Sequence, residues 1–296
     1  MTQANALAEG LRKDRPTDVD VVGKRRFGRG GRLGLIVLLV AIAVFFVLPL
    51  VLVLSASLKY QSEVFTDTGF IPAEPGLENY EALFSGSAEF GKWFVNSAIV
   101  STVGTVLVLI LTSLSAYAFA RIDFPLKNLL FSLLIVTLLL PSVMFLVPQT
   151  KIVGALGLYD TLPAIMLPTL AGVFGLFFMR QFFLGLPLEL EEAAYVDGAN
   201  RLRTFISVAL PLAGPALATL AVITFLAFWN DYLWPLIICQ ENCTLPPGLK
   251  SLQRQFTGDP GLVMAGAIVA AVPVLALYLV LQRYIVQSVA STGIKG

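Results

Sequence analysis

LELEEAAYVDGANRLRTFISVALP, residues 188–211, is the one strongly charged stretch in the interior of a very apolar chain. It carries Glu189, Glu191, Glu192 and Asp197, then Arg201 and Arg203, and long hydrophobic runs flank it on both sides. Those runs decide the class. Of 296 residues, 57% are hydrophobic and only 13% charged, with a mean hydropathy of +0.82, whereas a soluble domain carries about 25% charged residues. A buried core does not explain the deficit, because a globule of this size still has a polar surface to cover. The chain therefore reads as an all-α polytopic membrane protein, and residues 188–211 as a water-exposed handle between its spans.

About 20 apolar residues cross the hydrocarbon. Six stretches qualify: residues 33–54, 94–120, 128–148, 161–183, 207–238 and 262–286. The fifth is long enough to tilt or to include an interfacial end. With the N-terminus inside, fifteen Lys and Arg fall on inner segments and five on outer ones. That bias places both termini, and the handle, in the cytoplasm. The organisation is then a basic tail at 1–32, a transmembrane domain at 33–287 and a short cytoplasmic tail at 288–296.

The first tail is polar, with Arg12, Lys13, Arg15, Lys24, Arg25, Arg26, Arg29 and Arg32. It reads as a disordered, topology-setting segment rather than a cleavable signal. A nucleic-acid arm is a poor reading beside a membrane span. The first outer loop, 55–93, is acidic and rich in turn formers. It suits contact with an extracytoplasmic partner and a solvated spacer equally well. Prolines 49, 141, 148, 168, 215, 235 and 273 fall within or at the ends of the spans. Each removes a helix hydrogen bond and permits a kink.

Polar residues gather at two places in the spans. Asn96, Ser101 and Thr105 belong to a hydroxyl-rich second span; such residues serve close helix packing or line a polar pathway. Trp229, Asn230, Asp231 and Tyr232 lie near the outer end of the fifth span. They read as an interfacial belt or gate, or as a surface that contacts a sugar. Cys239 and Cys243 lie just outside in a compartment that permits a disulfide; a bridge and two separate thiols both fit their spacing.

Within the handle, Pro187 can open a helix whose first turns hold the three glutamates, where acids favour the positive dipole end. Gly198 can turn left-handed and end it. Asn200 can cap a second short helix. Two coupled helices are expected over 187–206.

Glu192-Ala193-Ala194, three residues, Gly198, and then Val208-x-Leu210-Pro211 resemble the EAA signature of membrane subunits in binding-protein-dependent ABC importers. The form EAAxxDGA, with Asp197, is similar to the carbohydrate-uptake branch. NSAIVSTVGTVLVLILTSLSAYAFAR at 96–121, FWNDYLWPL at 228–236 and QRYIVQSVASTGIKG at 282–296 resemble further family motifs; together they look like the G-type subunit of maltose permeases. The resemblance implies a type I ABC importer permease fold with six transmembrane helices, in a bacterial cytoplasmic (inner) membrane. It also implies that Glu192, Ala193, Ala194, Asp197, Gly198 and Arg201 couple to an ATPase, with Lys295 and Gly296 as a C-terminal contact. The implied partners are a second permease subunit, two ATP-binding subunits and an extracytoplasmic sugar-binding protein. The implied cargo is a di- or oligosaccharide, maltose- or trehalose-like, with glycerol phosphate or another polyol as the alternative. Ser291-Thr292-Gly293 and the cysteine pair depart from the family pattern.

The chain has no G-x-x-x-x-G-K-[ST] element: neither Gly23-Lys24 nor Gly91-Lys92 is followed by Ser or Thr. ATP and Mg are therefore expected on partner subunits, with no cofactor in this chain and no catalytic residue. It has no His, which leaves no metalloprotease ligands. A secondary transporter would want a coupling acid deep in a span, and Asp231 alone lies in one, near its end.

Overall fold

The computed structural model describes residues 29–60, 64, 72, 74–85, 89–256 and 259–292. Most of the basic tail, much of the first outer loop, and Lys295 and Gly296 lie outside these. The chain divides into two units, residues 1–50 and 51–296. The first holds most of α1 (Arg29–Ser57), an apolar helix with Pro49 inside it. The second contains α2 (Glu78–Ser85), α3 (Phe90–Arg121), α4 (Lys127–Thr137), α5 (Leu146–Ala155), α6 (Leu162–Met166) and α7 (Val173–Leu184). It continues with α8 (Glu189–Val196), α9 (Arg201–Thr204), α10 (Gly214–Trp229), α11 (Leu233–Ile238), α12 (Leu245–Gln255) and α13 (Pro260–Thr292). No strand occurs among the described residues.

Four helical stretches are long and apolar enough to cross a membrane: Leu33–Ser57, Phe90–Arg121, Gly214–Ile238 and Pro260–Val280. Two bent pairs bring the number among the described residues to six if each pair makes one span. The expected third span, 128–148, is not one helix. Lys127–Thr137 and Ser142–Ala155 meet at 101°. The backbone explains the break: Leu138, Leu139 and Leu140 tighten into i→i−3 turns, and Pro141 then has no N–H to continue them. The expected fourth span bends by 45° between Leu162–Ala171 and Val173–Leu184. There Pro168 sits in a 3-10 segment, Leu167–Ala171, that runs into Gly172. The fifth stretch is also interrupted. A π-helical turn at Phe205–Ala209 precedes α10, and Asn230–Tyr232 separates α10 from α11.

The helix α3 is the spine of the second unit, packing along α7 and α10. Its buried face includes many small and polar residues, Ser97, Ser101, Gly104, Thr105, Thr112 and Ser113, between larger ones such as Trp93 and Tyr117. Between membrane helices, where lipid tails are as apolar as side chains, close van der Waals contact replaces hydrophobic drive. Gly104 shows the need for small residues, because a Cβ there would stand 2.7 Å from the Phe228 ring. The hydroxyls of Thr112 and Ser113 bond back to Val108 O (2.6 Å) and Ile110 O (3.2 Å) on their own helix.

At the N-terminal end of α3 the loops are tied together. Cys239 and Cys243 form a disulfide with Cα atoms 5.1 Å apart. Inside that ring, the backbone N–H groups of Gln240, Glu241 and Asn242 all donate to Asp160 Oδ1, at 2.8, 3.1 and 2.9 Å. Asp160 itself adopts φ +59°, a region that Asp tolerates better than most residues. The Asn96 amide donates to Cys243 O at 3.0 Å, and Leu245 N donates to Ser97 Oγ at 2.7 Å. Burial opposes the Asp160 charge, but the three backbone donors outweigh it and hold the carboxyl below its ordinary 3.8. Its contribution is therefore complete at neutral pH and fades only as pH falls through that lowered value. Asp160→Ala is expected to reduce hydrogen-exchange protection of the 240–242 amides severalfold at neutral pH, read by deuterium-exchange mass spectrometry. The wild-type loop should lose the same protection only below about pH 4.

Candidate functional site

The charged handle folds as two short helices around a glycine corner. In α8, Glu189, Glu191 and Glu192 occupy the first turn, where carboxylates meet the positive end of the helix dipole. Gly198 sits at φ +83°, and its N–H donates to Tyr195 O at 3.0 Å while Ala199 N donates to Ala194 O at 2.9 Å. This closure leaves α8 through a left-handed residue, which glycine adopts without Cβ cost. Asn200 then caps α9, its Oδ1 accepting from Arg203 N at 2.9 Å.

Glu191 and Glu192 point to different surroundings. Glu191 is 4% exposed. Its Oε1 lies 2.8 Å from Arg121 Nε, and its Oε2 accepts from the Tyr117 hydroxyl at 2.8 Å. Arg121 also donates from Nη2 to Leu186 O at 2.7 Å. Both charged side chains are almost fully buried, at 9% and 5% exposure. Tyr117 is held among rings, with Phe205 at 5.0 Å and Phe183 at 5.6 Å. The last turn of α3 therefore grips the back of α8. Arg180 makes a second tie nearby, lying 4.1 Å over the Phe131 ring and donating to Phe119 O at 3.2 Å.

The opposite face of α8 is open. Glu192, Ala193, Val196, Asp197 and Gly198 are exposed, as is Arg201 in α9, while Ala194 is half-buried. Val196 is 87% exposed and Leu202 59%, an apolar fringe beside acids. A small-residue surface flanked by carboxylates can enter a groove closely and pair there with a base.

The remaining expected site residues do not gather. Asn96, Ser101 and Thr105 are buried in helix contacts, and the hydroxyls of Ser101 and Thr105 have no hydrogen-bond partner. Trp229 is buried, stacked on Phe225 at 5.7 Å, with its indole N–H donating to Ala270 O at 3.1 Å. Asn230 is exposed, and its amide returns to Leu226 O at 3.0 Å. Asp231 and Tyr232 are half-buried in the break between α10 and α11. Reading the sequence missed Tyr117, Arg121, Glu191 and Asp160. The i, i+4 spacing of Tyr117 and Arg121, which puts both on one helix face, was the available signal.

Comparison with known proteins turns this geometry into a family. Residues 109–291 match the profile described as binding-protein-dependent transport system inner membrane component. The chain belongs to that family. It is a membrane-spanning permease subunit of an ABC importer, not a secondary transporter. It is 34% identical over 260 residues to the arabinooligosaccharides transport system permease protein AraQ of Halalkalibacterium halodurans, covering 86% of this chain and 93% of that one. It is 35% identical over 255 residues to the trehalose transport system permease protein SugB of Mycobacterium tuberculosis, covering 84% and 92%. It is 37% identical over 213 residues to the sn-glycerol-3-phosphate permease UgpE of Yersinia enterocolitica, covering 70% and 75%. Among solved structures, a bacterial ABC transporter involved in import of the acidic polysaccharide alginate shares the fold. Its TM-score is 0.76 at 24% identity, covering 87% of this chain and 98% of that chain.

Removing one partner of a buried pair strands the other charge, at a cost of about 3–5 kcal/mol. Arg121→Ala and Glu191→Ala should each destabilise the purified complex on that scale in thermal unfolding, with the double variant costing less than the sum. Gly198→Ala should cost ~1–2 kcal/mol through its left-handed backbone.

Proposed function

We propose that residues 187–206 form the coupling element of this permease, seating in a cleft of an ATP-hydrolysing partner. The carrying observation is the split between the two adjacent glutamates. Glu191 is spent on Arg121 and Tyr117 inside the subunit, while Glu192 stands exposed beside Ala193, Asp197, Gly198 and Arg201. Glu192 is assigned the ion pair with the partner, Ala193 and Ala194 the close surface, and Gly198 the corner that sets the angle of α8. Motion of the ATPase would enter through that face and pass to α3 through the buried pair. Lys295 and Gly296, outside the described residues, are assigned a second contact with the ATPase.

The complete importer would comprise a second permease subunit, two ATPase subunits holding ATP and Mg, and an extracytoplasmic binding protein, in a bacterial cytoplasmic membrane. The Lys and Arg bias supports both termini and the coupling element on the cytoplasmic side. The cargo class is a neutral di- or oligosaccharide, supported by the two sugar-system relatives. The glycerol-phosphate-system relative favours a second reading, import of a phosphorylated polyol by the same machinery.

Glu192→Lys is expected to abolish sugar uptake into proteoliposomes bearing the whole complex, with the binding protein and ATP supplied. Thermal unfolding of the permease subunit itself should stay near wild type, because the Arg121–Glu191 pair is untouched. Uptake at the wild-type rate would overturn the coupling assignment.

A further inference from the structure

We propose that the three broken spans of this subunit together build a binding pocket for one ring of a neutral, hydroxyl-rich ligand, with Asp231 excluding anionic ones. This deepens the transport reading and rests on it.

The breaks do not scatter; they converge. A cavity of about 260 Å³ is walled by Ser142, Phe145 and Gln149 from the 101° bend, Pro168 and Thr169 from the 45° bend, and Asp231 with Trp234 from the α10–α11 break. Irregular backbone at membrane depth is tolerated only where protein buries it or a watery cavity receives it. Three interruptions that share one cavity fit the second case. Trp234 is anchored behind the wall, its indole N–H donating to Ala164 O at 3.1 Å, so this side of the pocket is preformed.

The lining chemistry selects the ligand. Ser142, Thr169 and Gln149 offer two hydroxyls and an amide, and none of these side chains is hydrogen-bonded within the described structure. Each can donate and accept, which suits sugar hydroxyls. Phe145 and Trp234 supply apolar faces. Among the described residues Asp231 is the only charged group in the wall and no Lys or Arg lines the cavity; its Oδ1 meets Trp234 N at a long 3.5 Å. It keeps acceptor capacity for a ligand hydroxyl and repels phosphate or carboxylate. The size lies just below the ~300–1,000 Å³ of drug-sized sites, which suits a single ring rather than a whole oligosaccharide.

The test uses the complete importer in nanodiscs, resting and with its ATPases trapped closed by vanadate. Both cysteines of this chain are in the disulfide, so Thr169→Cys introduces its single free thiol. Maleimide labelling of that thiol, read by mass on this chain, should slow at least threefold with trehalose or an arabinotriose and be unchanged by sn-glycerol 3-phosphate. In an Asp231→Asn background, sn-glycerol 3-phosphate should begin to protect. Should Thr169→Cys not assemble, Gln149→Cys gives the same readout. Lack of protection by both neutral sugars in both states overturns the proposal, as does equal protection by glycerol phosphate in the unmodified background. Uptake in parallel proteoliposomes separates the two claims: sugar import without protection sinks the pocket alone, whereas failure of ATP-driven import under any ligand sinks the transport reading.

Discussion

A peptide group facing hydrocarbon has no water to bond, so every break in a membrane helix must be answered by protein or by a cavity. The architecture of the second unit follows from that constraint. Where it can be met locally, the helix continues unbroken, as in α3 from Phe90 to Arg121. Where proline withholds a donor, at Pro141 and Pro168, the helix turns and the exposed backbone collects with that of the α10–α11 break. The kinks are therefore shared, and Ser142, Gln149, Thr169 and Asp231 bring polar side chains to the cavity where they meet.

Carboxylates bolt the spine at both ends. At the C-terminal end of α3, Glu191 binds Arg121 and Tyr117 in a dry contact. At the N-terminal end, Asp160 gathers the disulfide-closed loop, which in turn bonds Asn96 and Ser97. The two bolts differ in physics. The Glu191 pair needs its partner, because either charge alone would be stranded. Asp160 relies mainly on backbone donors, which substitutions other than proline elsewhere in the loop leave in place.

Much of this was legible in the residues. Charge scarcity marked the membrane class, and the handle stood out because charge is rare. Gly198 and Asn200 announced a corner and a cap through backbone chemistry that is local. What escaped was orientation. Neighbouring helical residues differ by about 100° around the axis, so nothing in EE itself says that Glu191 turns inward and Glu192 outward. Arg121 and Arg180 are two of the fifteen inner Lys and Arg of the charge bias, while the fold uses both as internal ties. Hydroxyls on α3 and the belt residue Trp229 were ambiguous for a similar reason: packing and pathway demand the same residue types. The span breaks were visible as prolines, but their angles and meeting point depend on tertiary neighbours.

On the coupling role proposed above, the inward and outward glutamates make α8 an adaptor with separable faces. Because its seat is secured by Glu191, residues on the open face can drift without loosening the helix from its own subunit. A lineage that recruits a different motor, or shares one motor among several importers, can thus revise the socket fit through a handful of surface positions. The inherited mount stays as it was, and partner exchange becomes a surface problem rather than a folding one.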